Sequence, residues 1–436
     1  VKRAALVLAL LAAAGAAGGE TVTLSLSDAI DRALAESTAS KLAALGIDEA
    51  QIAADRAKTA LNPRVDAVVS DVNESLNLQT FGLTFPGIPP IVPPFNVFDA
   101  HIAASMNVID VAARRRVKAA RQQIRVSESE REQSDADVAA AVASLYLTIR
   151  RAESLVEETN ANVDLFERLR EQAAHAQQAG VGTRLDTTRA DVQLSRQRQA
   201  LLAAETQRDV ARLALLRAVG ADLGDALVLS DRPEAPAATL PTPEDAIALA
   251  RRLRPDLRAV DESLVAARLS IDAARGERWP RLAAQFQGGY NGNYLGDLSW
   301  TRLIGGSLMF PVYSGGEITA HVEEAKLQER SLAIRRDDLD RRIQEEVRRS
   351  LLAFRNAVSR VALAEENAKL AADELRFATD RFVNGIASGI EVDNGQTSVI
   401  AARNARITAL ADEEQAWIDL KHATGEIRQI AGKEKP

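Results

Sequence analysis

Two hydrophobic periods run along this chain, and they predict two kinds of element. Val138, Val142, Leu145, Ile149, Ala152, Val156, Thr159, Val163 and Phe166 alternate at spacings of four and three, the seam of a long helix packed on another helix. Val347, Leu351, Phe354, Val358 and Val361, continued by Ala368, Leu375 and Phe382, repeat it. Elsewhere the period is two. Phe98, Ala100, Ile102, Ala104, Met106 and Val108 alternate with Asp99, His101, Ala103, Ser105 and Asn107. Leu282, Ala284, Phe286, Gly288 and Tyr290 alternate with Ala283, Gln285, Gln287, Gly289 and Asn291. Val72, Leu76 and Leu78 oppose Asn73, Ser75, Asn77 and Gln79, although Glu74 breaks the apolar row. Strands with one apolar face suit a membrane barrel and a half-buried soluble sheet equally.

The same elements occur twice. Asp28-Ala29-Ile30 recurs as Asp245-Ala246-Ile247, Asn62-Pro63-Arg64 as Trp279-Pro280-Arg281, Gly180 as Gly385 and Gly220 as Gly425. The first copy holds extra residues between its strands, and Gly82 to Phe95 is the natural place for them. The pattern predicts a first repeat over 28–220, with strands at about 64–80 and 97–109, a long helix over 113–178, a turn at 179–184 and a helix over 184–219. A second repeat over 245–425 carries strands at about 281–294 and 299–312, a long helix over 316–383, a turn at 384–389 and a helix over 389–424. Residues 221–244 link the repeats, and 426–436 form a tail. Asp28 and Asp245 are expected as helix N-caps, opening single helices such as Asp28 to Ala60. Four strands cannot close a barrel alone, so a membrane location requires several chains to share one.

Composition narrows the function. Aromatic residues make up 4% of the 436 positions, Cys is absent, and the net charge is -7, which favours long helices and argues against a nucleic-acid partner. Lys2 and Arg3 before the apolar run from Ala4 predict a signal peptide over 1–16, hence export. No Cys follows it to carry a lipid, and no apolar run is long enough for a transmembrane helix.

The turns Gly180-Val-Gly-Thr183-Arg-Leu185-Asp186 and Gly385-Ile-Ala-Ser388-Gly-Ile390-Glu391, within this duplication, make the chain resemble the TolC family of outer-membrane efflux proteins. The resemblance implies a mainly α fold with a transmembrane β-barrel: a homotrimer sharing twelve strands, continued by an α-helical tunnel in the periplasm. It implies a passive exit duct in the outer membrane of a Gram-negative-type envelope, served by a periplasmic adaptor (membrane fusion protein) and an inner-membrane pump (RND, ABC or similar). It implies further that Glu391, Asp186 and Asn394 line a pore constriction, and that Gly180, Gly182, Thr183, Gly385, Ser388 and Gly389 form adaptor-contacting tips. Phe98, Ile102 and Met106 would face outer-membrane lipid, with Tyr290, Tyr294 and Trp300 as an aromatic girdle. Phe382 and Ala387 stand where some members carry a gating Tyr and a tip Arg. A periplasmic coiled-coil adaptor, or a structural protein of an export complex, is the alternative.

Each site has a plainer reading. Asp186 and Glu391 suit helix N-termini through the dipole alone. His101, His175, His321 and His422 lack ligand spacing, and His321-Val-Glu323 has no third ligand. Gly288-Gly289 and Gly305-Gly306 fit strand bends better than phosphate loops. No catalytic pattern is legible, so neither an enzyme nor a cofactor is expected.

Overall fold

The computed structural model describes residues 21–87, 89–231, 240–384, 386 and 388–431. The expected signal segment, Gly385 and Ala387 lie outside them. The described chain divides into two compact units, one built from Leu45–Ser129 with Arg258–Asp337, the other from the remaining segments.

The first unit is organised by a sheet. Its strands β2 (Arg64–Asn77), β3 (Ile91–Ile109), β5 (Arg281–Gly292) and β6 (Ser299–Met309) are antiparallel in the order β2-β3-β5-β6. The pair β3-β5 therefore joins the two repeats, and β2 and β6 are left as edges. Residues directly opposite in such a ladder share a face. One face gathers Val65, Val69, Ile102, Phe286, Trp300, Ile304 and Leu308, of which Val69 and Ile304 are more than 70% exposed. The other carries Asp66, Ser70, Asp99, His101, Gln287, Asn291 and Thr301.

The sequence phase of β2 is corrected here. Val72 pairs with Val97 on the polar face, whereas Asn73 pairs with Asn96 on the apolar one. The register slips between Glu74 and Leu76, opposite Pro93 and Pro94, which lack the N–H that a regular ladder needs. Strand β3 thus begins at Ile91 rather than near 97, and β2 ends at Asn77 before a 3-10 turn, Leu78–Phe81. Beneath the sheet, Gly276 ends α6 (Pro255–Gly276) against Ala112 of α3 (Val111–Gln178), where an added Cβ would lie 3.0 Å from the Ala112 backbone. The Arg115 guanidinium donates to the Asp272 carbonyl at 2.8 Å across the same contact.

The second unit is helical. It contains α1 (Leu26–Glu36), α4 (Arg184–Ala218), α5 (Pro243–Leu253), α8 (Gly389–Thr424), most of α3 and of α7 (Glu317–Val383), and a small parallel pair, β1 (Thr21–Leu24) with β4 (Ala226–Leu229). Val142, Ile149, Ala152, Thr159, Val163 and Phe166 are buried along α3 as its seam requires. On α7 the seam holds at Val347, Leu351 and Phe354, then passes to Ala357, Ala371 and Ala378, which leaves Val358 and Phe382 exposed. Small side chains there admit close helices: a Cβ on Gly395 of α8 would meet the Leu375 backbone at 3.1 Å.

The long N-terminal helix of each repeat is broken. Ser37, with ψ of 142°, separates α1 from α2 (Thr38–Thr59), and Arg254-Pro255 separates α5 from α6. Proline disfavours the helical conformation of the residue before it. The N-caps are Ser25 and Thr242, and Asp28 and Asp245 stand three residues into the helices as their partners. Arg254 is buried but fully employed, with bonds to Asp256 at 2.8 Å, to Glu346 at 2.7 Å and to the Ala423 carbonyl at 3.2 Å. Buried Tyr146 donates its hydroxyl to Asp231, whose carboxylate also accepts from the first amide of α1. Burial, then Asp231, pushes the Tyr146 phenol well above its usual range.

Gly425 ends α8 at φ +80°, and a Cβ there would meet the Arg254 and Leu253 backbone at 3.1 Å. Gly425→Ala should destabilise the fold by about 1–2 kcal/mol. Gly46→Ala, mid-helix in open space, should stabilise it by about 0.5–1 kcal/mol. Denaturant titration followed by circular dichroism separates the two.

Candidate functional site

The turns between α3 and α4 and between α7 and α8 share a sequence format but differ in chemistry. Gly180 adopts φ +79° and donates to Gln177, and the next two amides converge on the Ala176 carbonyl at 3.0 and 2.9 Å. Gly182 has no positive φ; it is required for room, since a Cβ would lie 3.1 Å from that of Ala176. Gly389 opens α8 without either constraint, since an added Cβ would come no nearer than 3.9 Å to the Phe382 ring. The left-handed glycine of the first turn is therefore Gly180.

Thr183 and Asp186 form a reciprocal cap. The Asp186 amide donates to the Thr183 hydroxyl at 3.3 Å, while the Thr183 amide and hydroxyl donate to the Asp186 carboxylate at 3.0 and 2.7 Å. These bonds hold the Asp186 carboxyl below its usual range, the side chain of Thr183 contributing most. In the second turn Ser388 makes no side-chain cap bond, and Glu391, at the equivalent position, faces Arg381 at 3.5 Å. Arg381 competes for the carboxylate from the last turn of α7.

Glu391, Asn394 and Arg381 line one groove with Leu370, Asp373 and Phe377. One group that sequence reasoning missed, Asp393, belongs to this end of the helical unit. Burial pushes the Asp393 carboxyl up, with Arg189 opposing and Asp186 adding to the rise. Asp393 directly precedes Asn394, so a carboxylate stands one position before that expected constriction residue. The only available signal was the acidic run Glu391-Val392-Asp393 itself.

On the sheet, Phe98, Ile102 and Met106 share a face with Tyr290 and Trp300, whose rings meet edge to face at 5.3 Å. Tyr294 lies in the β5-β6 turn, exposed and outside the strands. His101 bonds Asp99 at 3.0 Å on the opposite face. His321 pairs not with Glu323 but with Glu277 at 2.9 Å, which raises its pKa. Among the described residues no cluster could hold a metal ion, and no helix is long and apolar enough to cross a membrane.

The family model described as outer membrane efflux protein matches residues 29–221 and 246–426, one segment for each repeat. The outer membrane efflux protein BepC of Brucella suis biovar 1 (strain 1330) is 26% identical over 253 residues, 57% of this chain and 54% of that protein, so the match spans about half of that relative. The Campylobacter jejuni CmeC outer membrane channel superposes with a TM-score of 0.77 at 19% identity, covering 92% of this chain and 85% of that one. The outer membrane protein VceC of Vibrio cholerae gives 0.76 at 18% identity, covering 92% and 96%. At these identities the structures show a shared fold.

The cap of α4 should depend on pH. Because the folded pKa of Asp186 is depressed, its contribution is present above the ordinary Asp range and disappears as pH falls through the lowered value. Protection factors for amide exchange in the first turn of α4, corrected for the intrinsic rate at each pH, should therefore fall in acid and in Asp186→Asn, while Glu391→Gln leaves those of the first turn of α8 unchanged.

Proposed function

The chain belongs to the outer membrane efflux protein family, and on that premise we propose that it is an outer-membrane exit duct of an efflux or type I secretion assembly. Three copies contribute four strands each to one barrel, and their helices line a periplasmic tunnel. The observation that carries this reading is the sheet itself: one apolar exposed face, one polar face and two unpaired edges. Lipid tolerates no open edge, whereas joining copies edge to edge satisfies every ladder. Phe98, Ile102 and Met106 then meet lipid, the Tyr290–Trp300 pair sits at the membrane–water boundary, and Gln287, Asn291 and His101 face a wet lumen.

At the tunnel's far end, Glu391 and Asn394 with Asp186 form the constriction, and Gly180, Gly182, Thr183, Ser388 and Gly389 present the surface that a periplasmic adaptor grips. The adaptor couples the duct to an inner-membrane pump, which performs the energy-consuming step. Threefold repetition places three Glu391 carboxylates around one opening, where low-dielectric walls concentrate their field. Arg381 partly neutralises each of them at rest, and Asp393 stands behind.

Two experiments test this. Ile102→Arg should impair assembly in the outer membrane, because a cation on the lipid face costs about 2–4 kcal/mol near the midplane, while Ala103→Arg on the polar face is tolerated; equal effects would reject the assigned faces. In planar-bilayer recordings Glu391→Gln should lower cation selectivity and Arg381→Gln should raise it. Unchanged reversal potentials in both would mean that this end of the helices does not line the conducting path.

A further inference from the structure

Two charged residues stand on the apolar face of the sheet. By register, Asp71 of β2 lies beside Phe98, and Arg302 of β6 lies beside Gly288; the other paired positions of that face carry no charge. Both are exposed, and neither makes an ion pair among the described residues. They have opposite sign and occupy the two opposite edges of the sheet. We propose that Arg302 of one copy pairs with Asp71 of the next across the seam between copies, an inference that rests on the shared-barrel reading.

The geometry of closure brings them together. One ladder row runs through Ala67, Ile102, Gly288 and Arg302, and continued past β6 it enters β2 of the next copy. With strands about 4.8 Å apart, a rise of about 3.3 Å per residue and a tilt of about 35–45°, four strands accumulate a stagger of about four to six residues. Its direction follows from chirality. The Ala100 carbonyl points across to β5, into the place of the side chain that Gly289 lacks. For an L-residue whose side chain faces outward, that carbonyl direction orders β2, β3, β5 and β6 from right to left as seen from outside. The right-handed twist of strands tilts a barrel to the right in the same view, so each row climbs toward the C-terminal end of β2. The row through Arg302 therefore reaches the next β2 four to six residues beyond Ala67, at Asp71 or Asn73.

Directly opposite or one diagonal step away, about 7–8 Å between Cα atoms, the carboxylate is within reach of an arginine side chain. An unpaired cation or anion facing lipid is costly, and pairing them removes both penalties at once. The pair also fixes the register, because a slip of two residues in the wrong direction would separate the charges.

The chain contains no Cys, which makes the test direct. D71C/R302C, treated in membranes with a bifunctional thiol reagent spanning about 8 Å, should give covalent dimers and trimers that require both cysteines. D71N and R302Q should each lower the temperature at which trimers dissociate in detergent, and the exchange D71R/R302D should restore it. If wild-type trimers form but the cysteines do not link and both single variants dissociate as wild type, the pair is wrong while the duct reading stands. If only R302Q is weakened and the exchange does not rescue it, Arg302 holds a lipid phosphate and the pair is again wrong. If wild type forms no trimers, the shared barrel fails and the pair with it.

Discussion

Unpaired backbone at the two sheet edges is the constraint from which the rest follows. Strands β2 and β6 each offer a row of N–H and C=O groups that no other strand among the described residues pairs with. In water such edges are covered or blunted by charge; in hydrocarbon each unmet group costs several kcal/mol. The apolar face, with Val69 and Ile304 more than 70% exposed, disfavours a solvated sheet as a stable end state. Closure between copies answers both demands together. Duplication supplies the means, since the β3-β5 pair fuses two hairpins into one sheet and leaves two free edges, β2 and β6, each offering donors and acceptors alike.

The helical unit meets a different requirement. Long helices with small residues at the seam, Ala357, Ala371 and Ala378 on α7 and Gly395 on α8, approach one another closely. Its turns show how duplication permits divergence. The first is locked by the Thr183–Asp186 cap, whereas the second leaves Ser388 uncapped and gives Glu391 to Arg381. A carboxylate held by an exposed ion pair is more easily redirected than one held by a reciprocal cap, because an exposed pair contributes little.

Much of this was legible in the sequence where one period persisted without interruption. The α3 seam and the alternation of β3 and β5 were readable because each side chain answers to a single buried or exposed face. Legibility failed where a local event shifts the phase. The slip at Glu74/Leu76 inverted the faces assigned around Val72, and the drift of the α7 seam onto Ala357 exposed Val358. The helix break at Ser37 falls within a stretch of good helical composition, whereas the break at Arg254 is marked in the sequence by Pro255, and the capping residues Ser25 and Thr242 precede the Asp that looks like the cap. At the turns, Glu391 and Asp186 could be located but not distinguished, since their partners Arg381 and Thr183 come from geometry. Asp393 escaped because its raised pKa comes from partial desolvation and from the proximity of Asp186 and Arg189, which no spacing reveals.

The central claim is that the edges of this sheet are completed by other copies of the same chain. Native mass measurement of the detergent-extracted protein, combined with amide exchange along β2 and β6, tests it most directly. The account predicts three chains per particle and slow exchange at both edges. A monodisperse single chain with full helicity and fast exchange along β2 and β6 would contradict it.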